Sequence, residues 1–150
     1  MSKSKTFTVK LKRKREGKTD YKSRLKYLKS NKTRLVIRPS TSNITIQAIN
    51  FVESGDKALC TMKATDLKKI GWNYHAGNIP SAYLTGLYFG SKNKDKVKEA
   101  IIDLGRRSIT KGDRLAATIK GLVDSGINIP HSDKIFPSEE RINGTSIAGY

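Results

Sequence analysis

The stretch that decides the fold is TRLVIRPSTSNITIQAINFVESGDKALCTMK, residues 33–63. It contains three runs rich in Val, Ile and Thr, at 33–38, 43–51 and 57–63, and these residue types favour strands. The polar link PSTS and the pair Gly55-Asp56 separate the runs, and both are typical of turns. Because such short links join antiparallel neighbours, the stretch predicts a three-strand antiparallel meander.

The pattern after residue 66 changes from the period of strands to that of helices. A short helix at 66–70 and a loop, GWNYHAG at 71–77, lead to a helix running from 79 to about 89 or 90. Asn78 is its expected N-cap, with Pro80 in its first turn. The residues expected on its buried side are Ile79, Tyr83, Leu84, Leu87 and Tyr88.

A buried strand is expected at 99–104, where the sequence is EAIIDL, and an amphipathic helix at 114–124 that ends with Gly126 at C′. The inward residues of that helix are expected to be Leu115, Thr118, Ile119, Leu122 and Val123. A meander followed by helix, strand and helix predicts an α/β fold of three layers. Its mixed sheet would combine the meander with a crossover strand and would carry helices on both faces and a basic N-terminal extension.

The predicted organisation is a basic arm at 1–16, an α/β domain at 17–130 and a tail at 131–150 that packs on the domain. At 150 residues the chain suits a single domain. Cys60 is the only cysteine, which excludes an internal disulfide and a thiolate metal cage and indicates a reducing, intracellular setting.

The positive charge is concentrated at the start of the chain. The net charge is +17, yet residues 1–38 contain 15 Lys/Arg against 2 acids, which leaves a balance of only +4 for the rest. The arm is expected to be extended. A helix is expected from residue 19 or 20, with Tyr21, Leu25 and Leu28 buried and with Asn31 at its end.

Such crowded cations repel one another unless a polyanion neutralises them. Nucleic acid fits this requirement better than a membrane, because the arm lacks an apolar face for insertion and no apolar run is long enough to span a bilayer. Tyr21 and Tyr27 are candidates for stacking on unpaired bases, while Arg34 and Arg38 either contact RNA or pair within the protein. The candidate phosphate partners are Lys10, Lys12, Arg13, Lys14, Arg15, Lys18, Lys22, Arg24, Lys26 and Lys29.

The short motifs that resemble catalytic ones are weak evidence for an enzyme. Gly17-Lys18-Thr19 resembles the end of a phosphate-binding loop, but the required preceding glycine position holds Lys12 and no strand comes before it. Within His131-Ser132-Asp133, Ser132 or Asp133 is expected to be a turn or cap residue, because adjacent side chains rarely converge on one atom. His75 is expected to form a structural hydrogen bond.

Two other classes of function are also compatible with the sequence. A basic protein that binds DNA or chromatin would carry the same excess of cations. A metal-dependent nuclease would need carboxylates that converge, with Asp103 as the natural first ligand. The candidate carboxylates are Asp56, Asp66, Asp103, Asp113 and Asp124.

Several long segments, in order, carry a family resemblance. They are KREGKTDYKSRLKYLKS (14–30), RLVIRPSTSNITIQ (34–47), GWNYHAGNIPSAYLTGLYFG (71–90), IIDLGRRSITKG (101–112) and KGLVDSGINIPHSDKIFPSEERINGTSI (120–147). Together they cover nearly the whole chain from Lys14 onward. In these segments the chain closely resembles the archaeal and eukaryotic type of the universal large-subunit ribosomal protein L-eighteen family. The helix within LAATIKGLVDSG differs a little from the more usual aromatic-bearing version.

The resemblance implies a non-catalytic structural protein of the large ribosomal subunit, located in the cytoplasm on the ribosome. Members bind 5S rRNA through the basic N-terminal segment and help attach it to the large rRNA in the central protuberance. Here the principal contact would be residues 14–29, with Trp72, His75 and Asn78 facing RNA or ordering their loop, and Lys111 to Arg114 as a secondary contact. The implied partners are 5S rRNA, the large rRNA and neighbouring large-subunit proteins. No cofactor, metal, membrane or small-molecule substrate is expected.

Overall fold

The computed structural model describes residues 8–149 and shows one mixed four-stranded sheet. The strands are β1 (Thr33–Pro39), β2 (Ile44–Val52), β3 (Gly55–Lys63) and β4 (Ala100–Asp103). The α-helices are α1 (Lys12–Arg15), α2 (Tyr21–Lys29), α3 (Ile79–Asn93), α4 (Arg114–Asp124), α5 (Glu139–Asn143) and α6 (Thr145–Ala148). Two 3-10 helices, Ala64–Ile70 and Asp133–Ile135, complete the set. None of the helices in this part of the chain is long and apolar enough to cross a membrane.

The sheet confirms the predicted α/β fold. Its strand order is β3-β2-β1-β4, with the meander antiparallel and β4 parallel to β1. The turn between β2 and β3 lies at Glu53 and Ser54, which corrects the expected position at Gly55-Asp56. Gly55 instead begins β3 with a φ of 137°, a conformation that a side chain would strain.

The two faces of the sheet bury different kinds of residue. Leu35 and Ile37 of β1 are fully buried with Ile44 and Ile46 of β2, and α3 and α4 cover this face. Arg34 and Arg38 alternate with them along β1 and therefore point to the opposite face. Arg24 of α2 bonds Asp56 on that side, so α2 forms the layer there.

Helices α3 and α4 pack through glycines. A Cβ at Gly86 would come 3.1 Å from the backbone nitrogen of Leu122, and closer still to the carbonyl oxygen of Thr118. The predicted buried side of α3 is therefore wrong, since Ile79, Tyr83 and the other large residues named for it are only half-buried. Backbone contact needs small side chains at the interface. The residues of α3 that are buried are Pro80, Ser81, Ala82, Thr85, Gly86, Phe89 and Gly90.

Two expectations for the N-terminal segment are also corrected. Residues 12–15 form one turn of helix rather than extended chain, while the expectation for residues 1–7 lies outside the described residues. No residue of α2 is buried, and Leu25 is 55% exposed. The sheet face that α2 covers carries Arg34 and Arg38 beside the buried Val36, and Leu25 stays mostly exposed above it.

The segment after Pro130 contacts the body of the domain. Ile142 of α5 is buried, α5 packs on α3, and the backbone nitrogen of Gly112 donates to the carbonyl of Ile135 at 2.9 Å. Tyr150 lies outside the described residues. These contacts tie the loop before α4 to the end of the chain.

Candidate nucleic-acid interface

The basic N-terminal segment folds back on itself before α2. Gly17 adopts a left-handed φ of 65°, and the backbone nitrogen of Lys18 then donates to the carbonyl of Arg13 at 2.9 Å. Arg13 Nε donates to Thr19 Oγ1 at 2.8 Å. The turn therefore places the cations of α1 beside the start of α2.

Asp20 starts α2 as its N-cap. Its Oδ1 accepts from the backbone nitrogens of Lys22 and Ser23 at 3.0 and 3.3 Å, and its Oδ2 accepts from Ser23 Oγ at 2.7 Å. The hydrogen bonds from Ser23 hold the pKa of Asp20 below its ordinary value. The carboxylate of Asp20 therefore serves as the N-terminal cap of α2. The helix behind it presents Lys22, Lys26 and Lys29 to solvent.

The structure adds two cations that the sequence reasoning missed. Arg106 and Arg107 lie in the loop after β4, and Arg106 Nη1 donates to the carbonyl oxygen of Gly17. This bond joins residues 89 positions apart. The signal in the sequence was an adjacent arginine pair after a buried strand, with no acid between Asp103 and Asp113.

These groups form one surface, which we call the basic face. Lys18, Arg24 and Arg38 line a crevice on it together with Tyr27, and Lys14, Arg106 and Arg107 line the adjoining one. The basic face is defined as these basic residues together with Arg13, which lines the first crevice, and the exposed cations of α1 and α2, Lys12, Arg15, Lys22, Lys26 and Lys29. Lys10, another predicted contact, is exposed in the residues before α1.

The carboxylates near the basic face all have partners within the protein. Glu16 pairs with Lys18 at 2.9 Å, and Asp20 caps α2. Asp56 pairs with Arg24 and Arg34, and Asp103 pairs with Arg34. None of these carboxylates is left as a free negative group to oppose a bound polyanion.

Arg34 is the centre of a buried ion-pair network. Only 2% of the residue is exposed, and its Nη2 lies 2.8 Å from Asp56 Oδ1 while its Nη1 donates to Asp103 Oδ2 at 3.2 Å. Arg24 Nη2 donates to the other oxygen of Asp56 at 2.7 Å. Of the two roles predicted for Arg34, the structure supports pairing within the protein, with Asp56 and Asp103, and not contact with RNA. Arg38 remains exposed, and its Nη1 donates weakly to the carbonyl of Asp103 at 3.4 Å.

The aromatic candidates differ in their exposure. Tyr21 and Tyr27 are half-buried, and burial together with the nearby carboxylates of Asp103 and Asp20 raises the pKa of Tyr27, which keeps the phenol neutral. In the loop after the first 3-10 helix, Trp72 packs edge-on against Tyr74, with ring centroids 5.2 Å apart. Tyr74 is 73% exposed and was not among the predicted contacts.

Most of the remaining candidate residues form hydrogen bonds that order loops. His75 Nδ1 accepts from the backbone nitrogen of Gly77 at 3.1 Å, and Asn78 Oδ1 caps α3 by accepting from Ser81 at 2.9 Å. Arg114 Nη1 donates to the carbonyls of Ser40 and Gly77 at 3.1 and 2.9 Å. These hydrogen bonds give Asn78 and Arg114 loop-ordering roles. Lys111 is exposed nearby.

The carboxylates considered for a nuclease serve the fold instead. Asp66 accepts from the backbone nitrogen of Lys63 at 2.9 Å, Asp113 caps α4, and Asp124 accepts from the hydroxyl of Tyr83 at 2.9 Å. Within residues 8–149, no group of three or more His, Cys, Asp or Glu side chains converges on a point. His131 Nδ1 lies 2.6 Å from the carbonyl oxygen of Ile129, which is a structural contact.

Comparison with known sequences identifies the family. The model of the family described as "Ribosomal large subunit proteins 60S L5, and 50S L18" matches residues 5–99. A protein of Methanococcus maripaludis named large ribosomal subunit protein uL18 is 48% identical over 96% of this chain and 75% of its own length. A protein of the same name from Korarchaeum cryptofilum is 46% identical over 100% of this chain and 77% of its own length.

The match covers well over half of the chain, and both relatives extend it across nearly all of the remainder. Residues of the basic face on α1 and α2 fall inside the matched region, whereas Arg106 and Arg107 lie beyond it. The chain therefore belongs to this family of large-subunit ribosomal proteins, and its role is that of a structural component of the ribosome rather than an enzyme.

Proposed function

We propose that this protein binds 5S rRNA through the basic face and helps attach that RNA to the large rRNA in the central protuberance of the subunit. The observation that carries the proposal is the basic face itself. Cations from α1, α2 and the loop after β4 share one surface, and the neighbouring carboxylates are paired within the protein. Such a surface favours an extended polyanion.

Recognition would depend on phosphate positions and RNA shape more than on base edges. The lysines of α2 supply point charges, while Arg38, Arg106 and Arg107 supply planar guanidinium groups that fit phosphate oxygens. Tyr21, at the start of α2, is placed beside these cations and could stack on an unpaired base. The half-buried Tyr27 lines the crevice itself.

A second contact would lie at the loops that precede α3 and α4. The exposed ring of Tyr74 is held by Trp72, and Lys111 is exposed in the loop tied down by Arg114. We propose these loops for the large rRNA or for neighbouring ribosomal proteins. The proposed division of the chain is an RNA-binding arm at 1–16, an rRNA-binding domain at 17–130 and a packed tail at 131–150.

The test is the binding of purified protein to 5S rRNA, measured by gel mobility shift at several salt concentrations. The triple variant Lys22→Gln, Lys26→Gln, Lys29→Gln should bind more weakly and lower the log–log salt slope by about 2 to 3, because each lost phosphate contact lowers it by roughly 0.7 to 0.9. The matched control is Lys68→Gln, Lys120→Gln, Lys134→Gln. It removes the same charge elsewhere and should leave the slope nearly unchanged.

A competition experiment separates this proposal from general DNA binding. Folded 5S rRNA should displace a bound labelled 5S rRNA far better than duplex DNA of equal length at the same salt, because A-form geometry and the 2′-hydroxyl differ from DNA. Equal competition by DNA would favour a nonspecific polyanion binder. Equal weakening by both triple variants would show that the basic face is not the site.

A further inference from the structure

The geometry points to Asp56 as a positioning residue for RNA binding: its carboxylate holds α2 on the sheet in the orientation that presents the basic face. The inference rests on the proposed function. Asp56 belongs to β3, and within residues 8–149 its contact with the basic face is the ion pair with Arg24. It is itself an acid beside a surface proposed to bind a polyanion. Its role therefore cannot be direct contact with phosphate.

Helix α2 has little else to hold it. None of its nine residues is buried, and a helix of that length is marginal in water unless tertiary contacts support it. Within residues 8–149, the hydrogen bond from Arg24 to Asp56 is the only one that joins a side chain of α2 to another element. Tyr27 and Leu28 are half-buried and line a crevice together with Arg34 and Phe51.

Asp56 is in turn held in place by the buried Arg34. One of its oxygens lies 2.8 Å from Nη2 of the buried Arg34, while the other accepts from Arg24 of the helix. Arg34 is anchored on its far side by Asp103 at the end of β4. The chain of contacts runs from β4 through β1 and β3 to α2. Each link is a charge pair, and the buried guanidinium orients the carboxylate for the exposed one.

Positioning and simple electrostatics predict opposite results for Asp56→Asn. Removing a carboxylate raises the net charge by one, which by itself strengthens binding to a polyanion. Loss of the anchor lets α2 depart from its orientation, and if that orientation is populated one-tenth as often the affinity for 5S rRNA falls about tenfold. We expect the fall, with nonspecific binding to duplex DNA unchanged or increased. Asp56→Glu should retain most of the affinity. Glu53→Gln in the adjacent turn adds the same charge without touching the anchor, so it should leave the affinity unchanged or raise it slightly.

Amide hydrogen exchange of the free protein tests the anchor without RNA. In Asp56→Asn, the amides of α2 should lose protection while those of β1 and β2 keep theirs. If wild-type protein fails to bind 5S rRNA but this exchange result holds, the proposed function is wrong and the anchor is right. Unchanged α2 exchange, or an affinity for 5S rRNA that stays the same or rises, overturns the inference.

A second variant decides the question should Asp56→Asn not fold. Arg24→Met releases α2 while leaving Arg34 paired with Asp56, and Lys22→Met removes one cation from the same helix without breaking a described ion pair. Both should lower the salt slope by about 1 if both contact phosphate. Arg24→Met should also expose the α2 amides to exchange and bind more weakly than Lys22→Met. Equal affinities and equal exchange in the two variants would refute the anchor.

Discussion

The sequence around Arg34 is compatible with both an exposed and a buried side chain, and the structure shows that the side chain is buried. Its place in TRLVIRP fits either an exposed cation on a strand or a buried one. Its two partners, Asp56 and Asp103, are 22 and 69 positions away, and no local pattern brings them together. A guanidinium so deeply buried is tolerated because carboxylates on both neighbouring sides compensate its charge.

Replacing Arg34 by methionine should be strongly destabilising. The change leaves Asp103 without its cation and Asp56 with only the partly exposed Arg24, and breaking a buried pair in this way costs about 3 kcal/mol or more. Urea unfolding followed by circular dichroism measures it. Lys32→Met is the control, because its ion pair with Glu99 is over 40% exposed on both sides and should contribute less than about 1 kcal/mol. Equal losses would show that burial of Arg34 adds nothing.

The stability of the protein should depend on the ionisation of Asp56. Burial raises its pKa, but the hydrogen bonds and charges of Arg34 and Arg24 outweigh that effect and leave the pKa below its ordinary value of 3.8. The folded state therefore gains stability from the carboxylate above about pH 4 and loses it as the pH falls through the lowered pKa.

The measurement is the urea midpoint between pH 6 and pH 2, compared between wild type and Asp56→Asn. Asp20 and Asp66 also have lowered pKa values and give both proteins a common acid-induced loss. Wild type should lose the additional share that comes from Asp56, so the two curves should converge in acid. Parallel curves would contradict the assigned role of Asp56.

Among the elements, helix α3 separates what periodicity predicts from what packing decides. Its N-cap Asn78 and its start were predicted correctly, because capping is a local property. Its buried side was not, because a stripe of large apolar residues suggested one face while Gly86 and Gly121 allow the backbones of α3 and α4 to touch on another. The buried side of α2 was also predicted wrongly, since Leu25 fits an apolar stripe in the sequence but is 55% exposed in the structure.

Gly86→Ala should therefore destabilise the protein although alanine is the better helix former. Its methyl group would overlap the carbonyl oxygen of Thr118, a backbone atom that cannot move without shifting α4. Overpacking costs about 1 to 3 kcal/mol. Because the clash is with a backbone atom, we expect the upper part of that range, which exceeds the roughly 1 kcal/mol that helix propensity returns. Thermal unfolding compares it with Ser91→Ala on the exposed side of α3. A stability equal to or above that of wild type would show that the helices separate freely.

At the scale of the whole molecule, the uneven distribution of charge along the chain was visible in the sequence, but the arrangement of those charges in space was not. The count of cations in residues 1–38 predicted where a polyanion would bind. Only the fold brings Arg106 beside Gly17 and turns a basic segment into a surface that also includes the loop after β4. The candidate site therefore loses the buried Arg34 and gains Arg106 and Arg107, which lie far from residues 1–38 in the sequence.

The most direct test of the basic face is lysine footprinting, in which acetylation rates are compared with and without 5S rRNA by mass spectrometry. Lys12, Lys14, Lys22, Lys26 and Lys29 should become protected, while Lys68, Lys120 and Lys134 in the same sample should react as before. Protection confined to the second group, or absent from the first at a saturating RNA concentration, would contradict RNA binding through the basic face.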